Sequence, residues 1–168
     1  MIQNALILTI FPACMAFAAA MDLITMTVPN RIPLVLIIGF ACLAPLVGLS
    51  LSEIGIHVAA AIAALAVGFG MFAMGWIGGG DAKLFAVTVL WLNPEALLVY
   101  VFISAILGGV LTLLLLAYRS YPLPPFMMSQ DWVMRLHHPQ EGVPYGIALA
   151  AGGLIAYSHT PFMAALGG

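Results

Sequence analysis

The chain is 168 residues long, 64% hydrophobic, and carries four basic and six acidic residues, for a formal net charge of -2. A soluble domain of this size does not leave its surface so apolar, and the lack of a basic tract excludes nucleic acid as an expected partner. A mean hydropathy of +1.18 and apolar runs near ~20 residues predict an all-α integral membrane protein whose main partner is the lipid bilayer.

The first predicted helix covers Ile2–Met21, about 30 Å of helix and one hydrocarbon thickness. Ala18-Ala19-Ala20 has the look of a signal-peptide cleavage site, but no Lys or Arg precedes it, so a retained helix is expected. Asp22 follows. The segment Asp22–Pro33 contains Pro29 and Pro33, which disfavour helix at the residues before them, and reads as a short polar loop. A second helix is predicted over Leu34–Leu51, then a tight connection through Ser50, Ser52, Glu53 and Gly55.

The third predicted helix, Ile56–Trp76, is rich in alanine and glycine, and small residues let helices approach closely in lipid. Gly75 and Gly79 stand at GxxxG spacing. The run Gly78-Gly79-Gly80-Asp81 leads into a short fourth helix, Ala82–Leu92, which reaches only about 16 Å. Asn93-Pro94-Glu95 reads as an N-cap, a first-turn proline and a first-turn acid, opening a fifth helix over Pro94–Tyr118. A polar stretch, Arg119–Gly142, precedes a sixth helix over Val143–Leu166 with Pro144 in its first turn.

Charge placement decides whether the short run crosses. With six crossings, Arg31, Lys83, Arg119 and Arg135 fall on one side and Glu53 and Glu95 on the other, as the positive-inside rule requires. A re-entrant fourth segment would move Arg119 and Arg135 across. The expectation is therefore six transmembrane helices, the fourth short and both termini outside, with residues 1–168 forming one membrane domain. The short helix must thin the bilayer, sink between its neighbours or borrow length from the glycines.

This topology puts Asp22 and Asp81 on the cytoplasmic face at similar depth. Charges at the edge of hydrocarbon are costly and usually functional. Each acid alone also reads as a helix-end cap. Together, two carboxylates a few ångströms apart in a low dielectric share a proton and titrate as a pair. One can then serve as base toward water and the other as acid toward a carbonyl oxygen, with no metal or other cofactor. Gly78, Gly79 and Gly80 leave room for a substrate backbone, and Asp81 at a helix start meets the favourable end of the helix dipole.

Gly78-Gly79-Gly80-Asp81 fits the GxGD motif of intramembrane aspartyl proteases. Asp22 followed by Val28-Pro29-Asn30 resembles the first-aspartate region of type IV prepilin peptidases, and Val143-Pro144-Tyr145-Gly146 resembles that family's proline-glycine segment opening the last helix. The resemblance covers nearly the whole chain in the family's order of elements. It implies Asp22 and Asp81 as the catalytic pair, and an endopeptidase of the inner (cytoplasmic) membrane. Such enzymes remove the basic leader from prepilins and pseudopilins after a glycine, just before the pilin's apolar helix. Larger members carry a cytoplasmic insert with paired cysteines and also N-methylate the new terminus. The only cysteines here, Cys14 and Cys42, lie in apolar runs, so the chain resembles the small, peptidase-only branch of Flp-type (tight-adherence) pili, with no methyltransferase domain.

Other residues carry less. His137-His138, Asp131 and Glu141 share a loop, but adjacent histidines diverge and match no common metal spacing; no metal site is expected. Lys83 is expected to pair with an acid or with lipid headgroups, and Arg31 to anchor topology. Two competing readings are a small transporter using the acids as a proton relay and a structural subunit of a secretion or pilus machine. Nothing in the residues fixes an oligomeric state.

Overall fold

The computed structural model describes residues 1–166. It contains helices α1 (Ile2–Thr25), α2 (Arg31–Leu46), α3 (Leu51–Ala73), α4 (Gly79–Leu90), α5 (Pro94–Arg119), α6 (Asp131–His137), α7 (Tyr145–Tyr157) and α8 (Pro161–Ala164), with no strand among the described residues. The protein is all-helical. By length and composition α1, α3 and α5 can each cross a membrane, and α2 and α7 are shorter apolar helices.

The bundle is built around α4. Eight residues of this 12-residue helix are buried, and α2, α3 and α7 pack around it. Apart from its first turn and a half, α4 is nearly all apolar, as a helix packed inside a bundle is. Both α1 and α5 pack against α7, and Met15 of α1 and Tyr100 of α5 also reach Thr88 and Phe85 of α4. The contact stripe of α1 is Ile7, Phe11, Met15, Ala18 and Asp22, spaced by three or four residues as a single helix face requires.

At the C-terminal end of α4, Trp91 is fully buried among Phe11, Phe40, Tyr157 and Phe162. Its indole N–H donates to the Leu36 carbonyl at 3.1 Å, so the one polar atom of the ring is satisfied. Nearby, His57 Nδ1 lies 3.0 Å from the Leu90 carbonyl. Two hydrogen bonds tie α1 antiparallel to α7. Tyr157 donates to the Ile7 carbonyl at 3.1 Å, and at the opposite end the Gly146 amide donates to Asp22 at 2.8 Å.

Several boundaries differ from the sequence reading. The first helix runs on to Thr25, so Asp22 lies within its last turn; it ends where Met26 takes a left-handed φ of 55°. The second helix stops at Leu46. The connection expected at Ser50–Gly55 is instead the start of α3: Ser50 Oγ accepts from the Glu53 amide while the Glu53 carboxylate accepts from the Ser50 amide, a reciprocal cap that satisfies two orphan donors. The fourth helix starts at Gly79 rather than Ala82. Asn93 sits at the N-cap of α5, but its side chain makes no capping bond.

The predicted sixth helix is two, α7 and α8, separated at Ser158–Thr160. Pro144 caps the first of them instead of lying inside it. The Arg119–Gly142 stretch holds a helix of its own, α6. Gly75 and Gly79 form no GxxxG face, because Gly75 turns the chain after α3 with φ 73° and Gly79 opens α4. The close helix contact is made by Gly68 of α3, where an added Cβ would stand 3.2 Å from the Ala82 backbone.

Candidate active site

Both aspartates are buried, Asp22 at 4% and Asp81 at 8% exposure. They line one cavity of about 320 Å³ together with Met26, Thr27, Val28 and the glycines 78–80. Each belongs to a helix terminus. Asp22 lies on the core face of α1, one turn before its end. Its Oδ2 accepts from the amide of Gly146 in the first turn of α7, one of the donors that a helix start leaves without an internal partner. Asp81 stands in the first turn of α4 and folds back toward Gly78, its Oδ2 lying 3.1 Å from where a Cβ on that glycine would be. The positive ends of α4 and α7 therefore converge on the carboxylate pair. The remaining oxygen of Asp81, Oδ1, is buried with no partner.

The glycines are required by close approach. A Cβ on Gly80 would stand 3.1 Å from the Val28 amide nitrogen, and one on Gly146 would stand 2.7 Å from Asp22 Oδ2. The loop after α1 is thus pressed against the start of α4, and this brings the two acids to one cavity. Lys83 reinforces the same contact, donating to Asn30 Oδ1 at 2.9 Å. Its partner among the described residues is thus this amide of the loop and not an acid. Pro29, ahead of Asn30 at the N-cap of α2, fixes the turn that presents this acceptor. Tyr145 meets α5, its hydroxyl 3.2 Å from Thr112 Oγ1.

The Arg119–Gly142 segment folds over this end. Arg119 donates to the carbonyls of Leu136, Glu141 and Gly142 at 2.8, 3.0 and 2.9 Å. Arg135 reaches from α6 to the Thr25 carbonyl at the end of α1, 3.2 Å away, close in sequence to Asp22. His137 Nε2 lies 2.8 Å from the Tyr121 carbonyl. Sequence reasoning passed over Arg119 and Arg135 as organisers of this segment, because their partners are backbone carbonyls and backbone carbonyls leave no trace in residue identity.

Of the residues singled out beforehand, Asp22, Asp81, Gly78, Gly79, Gly80 and Lys83 lie together around one cavity. Asn30 joins through Lys83 and Gly146 through Asp22. The sequence carried no sign that Gly146 would donate its amide to an acid 124 residues away.

Comparison with curated proteins and with solved structures finds no match. Among protein families, the model described as the type IV leader peptidase family matches residues 9–113, a span that holds both acids and the glycine run. With more than half of its length matched and two buried carboxylates at one cavity, the chain belongs to the type IV leader peptidase family.

Proposed function

We propose that this protein is a membrane aspartic endopeptidase that removes the leader from Flp-type prepilins at the cytoplasmic face of the inner membrane, with Asp22 and Asp81 as its catalytic pair. Membership of the family supports a leader-peptidase function. The single observation that carries the catalytic assignment is the shared cavity: two aspartates far apart in the chain are both buried and line it together.

The chemistry needs only this pair. One carboxylate accepts a proton from water as the water oxygen attacks the scissile carbonyl carbon. The protonated partner gives its proton to the carbonyl oxygen, producing a tetrahedral diol. Collapse breaks the C–N bond, the nitrogen takes up a proton from the pair, and a leader carboxyl and a new amino terminus result. The Gly146 amide holds Asp22 in place, and the glycine run leaves one side of the cavity free of side chains. A pair with one shared proton keeps a net negative charge that draws a basic leader.

The membrane arrangement belongs to the same proposal. Arg31, Lys83, Arg119 and Arg135 gather at the end of the bundle that holds the acids, whereas Glu53 and Glu95 open α3 and α5 at the other end. This supports six crossings with the acids on the cytoplasmic side and both termini outside, in one peptidase domain without methyltransferase activity.

Co-expression with a prepilin, reading leader removal by mass, tests the proposal. The unaltered protein removes the leader; Asp22→Asn and Asp81→Asn each lower processing at least ~1000-fold while still inserting. Full processing by either variant contradicts the assignment.

A further inference from the structure

Two apolar grooves open on the side of the bundle, on opposite faces of α4. One, of about 340 Å³, runs between α2 and α3, lined by Ile37, Ile62 and Leu65 and on α4 by Lys83, Ala86 and Val87. The other, of about 470 Å³, runs between α3 and α5. Its walls include Val67 and Met71 of α3 and Val101 and Ala105 of α5; its floor is Phe85 of α4 and Leu149 of α7.

Each groove shares one lining residue with the acid cavity, Lys83 in the first and Asp81 in the second. Only the second is lined by one of the two acids, and on α4 Asp81 shares a face with Phe85, one turn away. The first groove has at the same level Lys83, whose amine is held by Asn30. From Gly108 to Val101 along α5 the second groove extends about 10 Å, two turns of helix. Ala105 and Gly108 keep its α5 wall low, the condition under which helices approach closely in lipid. Two lining residues, Asp81 and Ser104, each carry a buried oxygen without a partner.

We propose that the groove between α3 and α5 is the seat of the substrate's own transmembrane helix. The first two turns after the scissile bond lie against Phe85 and Leu149, and the bond itself lies at Asp81. This rests on the peptidase reading. A helix seated there meets the carboxylate of Asp81 at its cytoplasmic end, whereas a helix in the α2–α3 groove meets the amine of Lys83, already held by Asn30.

The test uses the full-length protein in membranes. The probe is a chain with a basic leader ending in glycine, followed by a ~20-residue apolar helix long enough to span. A photo-crosslinking residue replaces Val67, Val101, Ile37 or Ile62 in turn, in the Asp81→Asn background so that the probe stays whole. Adducts from positions 67 and 101, mapping to the first two turns beyond the leader, are expected, with none from 37 or 62. Adducts from 37 or 62 alone, or adducts at 67 and 101 only with lipid or with a second copy of this chain, overturn the proposal. In the active protein, Ala105→Trp fills the groove and raises KM at least tenfold with kcat little changed, as loss of uniform binding requires; Ile62→Trp leaves both unchanged. An unchanged KM in Ala105→Trp overturns the groove while the peptidase reading stands. Failure of the unaltered protein to cut any prepilin overturns both.

Discussion

Gly146 bears most directly on the proposed catalytic pair without belonging to it. Its amide donates to Asp22 Oδ2 at 2.8 Å, and a methyl group added to it would stand 2.7 Å from the same oxygen. No such contact is tolerated, so Gly146→Ala forces the carboxylate to move. A displacement near ~1 Å in a reacting group costs roughly 100-fold in rate. Gly146→Ala is therefore expected to lower kcat/KM by about that factor, measured on membranes in which the variant inserts normally. A variant with unaltered kinetics would mean that the position of Asp22 does not matter. Gly80 makes a different kind of approach, to the Val28 backbone, and its role is to bring two chain segments together.

Among the elements, α4 and the 119–142 segment explain what sequence could and could not reveal. The apolar run of α4, its shortness and its place after the glycines were legible, because hydropathy and helix length are properties of composition. Its start was misplaced: three glycines in a row suggest a loop, and only the structure shows Gly79 and Gly80 inside the helix, with Gly80 packed on the Val28 backbone. The Ser50–Glu53 cap was readable as a serine followed three residues later by a glutamate; the polar cluster around it suggested a turn instead.

The 119–142 segment was less legible still. Its order depends on Arg119, which donates to three carbonyls spread over Leu136–Gly142. Arg119→Ala removes all three bonds and is expected to speed limited proteolysis of this segment by about tenfold or more. Arg119→Lys restores this only in part, since an ammonium lacks the planar fork. Equal cutting rates in all three proteins would show that the segment is held by other contacts.

For the whole molecule, the burial of α4 lets a helix too short to span hydrocarbon hold the proposed catalytic acid Asp81 inside the bundle, with α2, α3 and α7 packed around it. The proposed six crossings also make a prediction of sidedness. With Cys14 and Cys42 replaced by serine, a single cysteine at Ser52 should react with an impermeant thiol reagent added outside intact cells. One at Ser129 should react only after permeabilisation. Labelling of both from one side would contradict six crossings.

That two distant aspartates form one reacting unit is tested most directly by the kinetics of leader removal in Asp22→Asn, Asp81→Asn and the double variant. Residues that act as a unit lose their function together, so each single change is expected to bring the rate down to the same residual level as the double change. Losses that multiply, with the double variant slower than either single one by the product of their factors, would show that the two carboxylates act independently and would contradict the account.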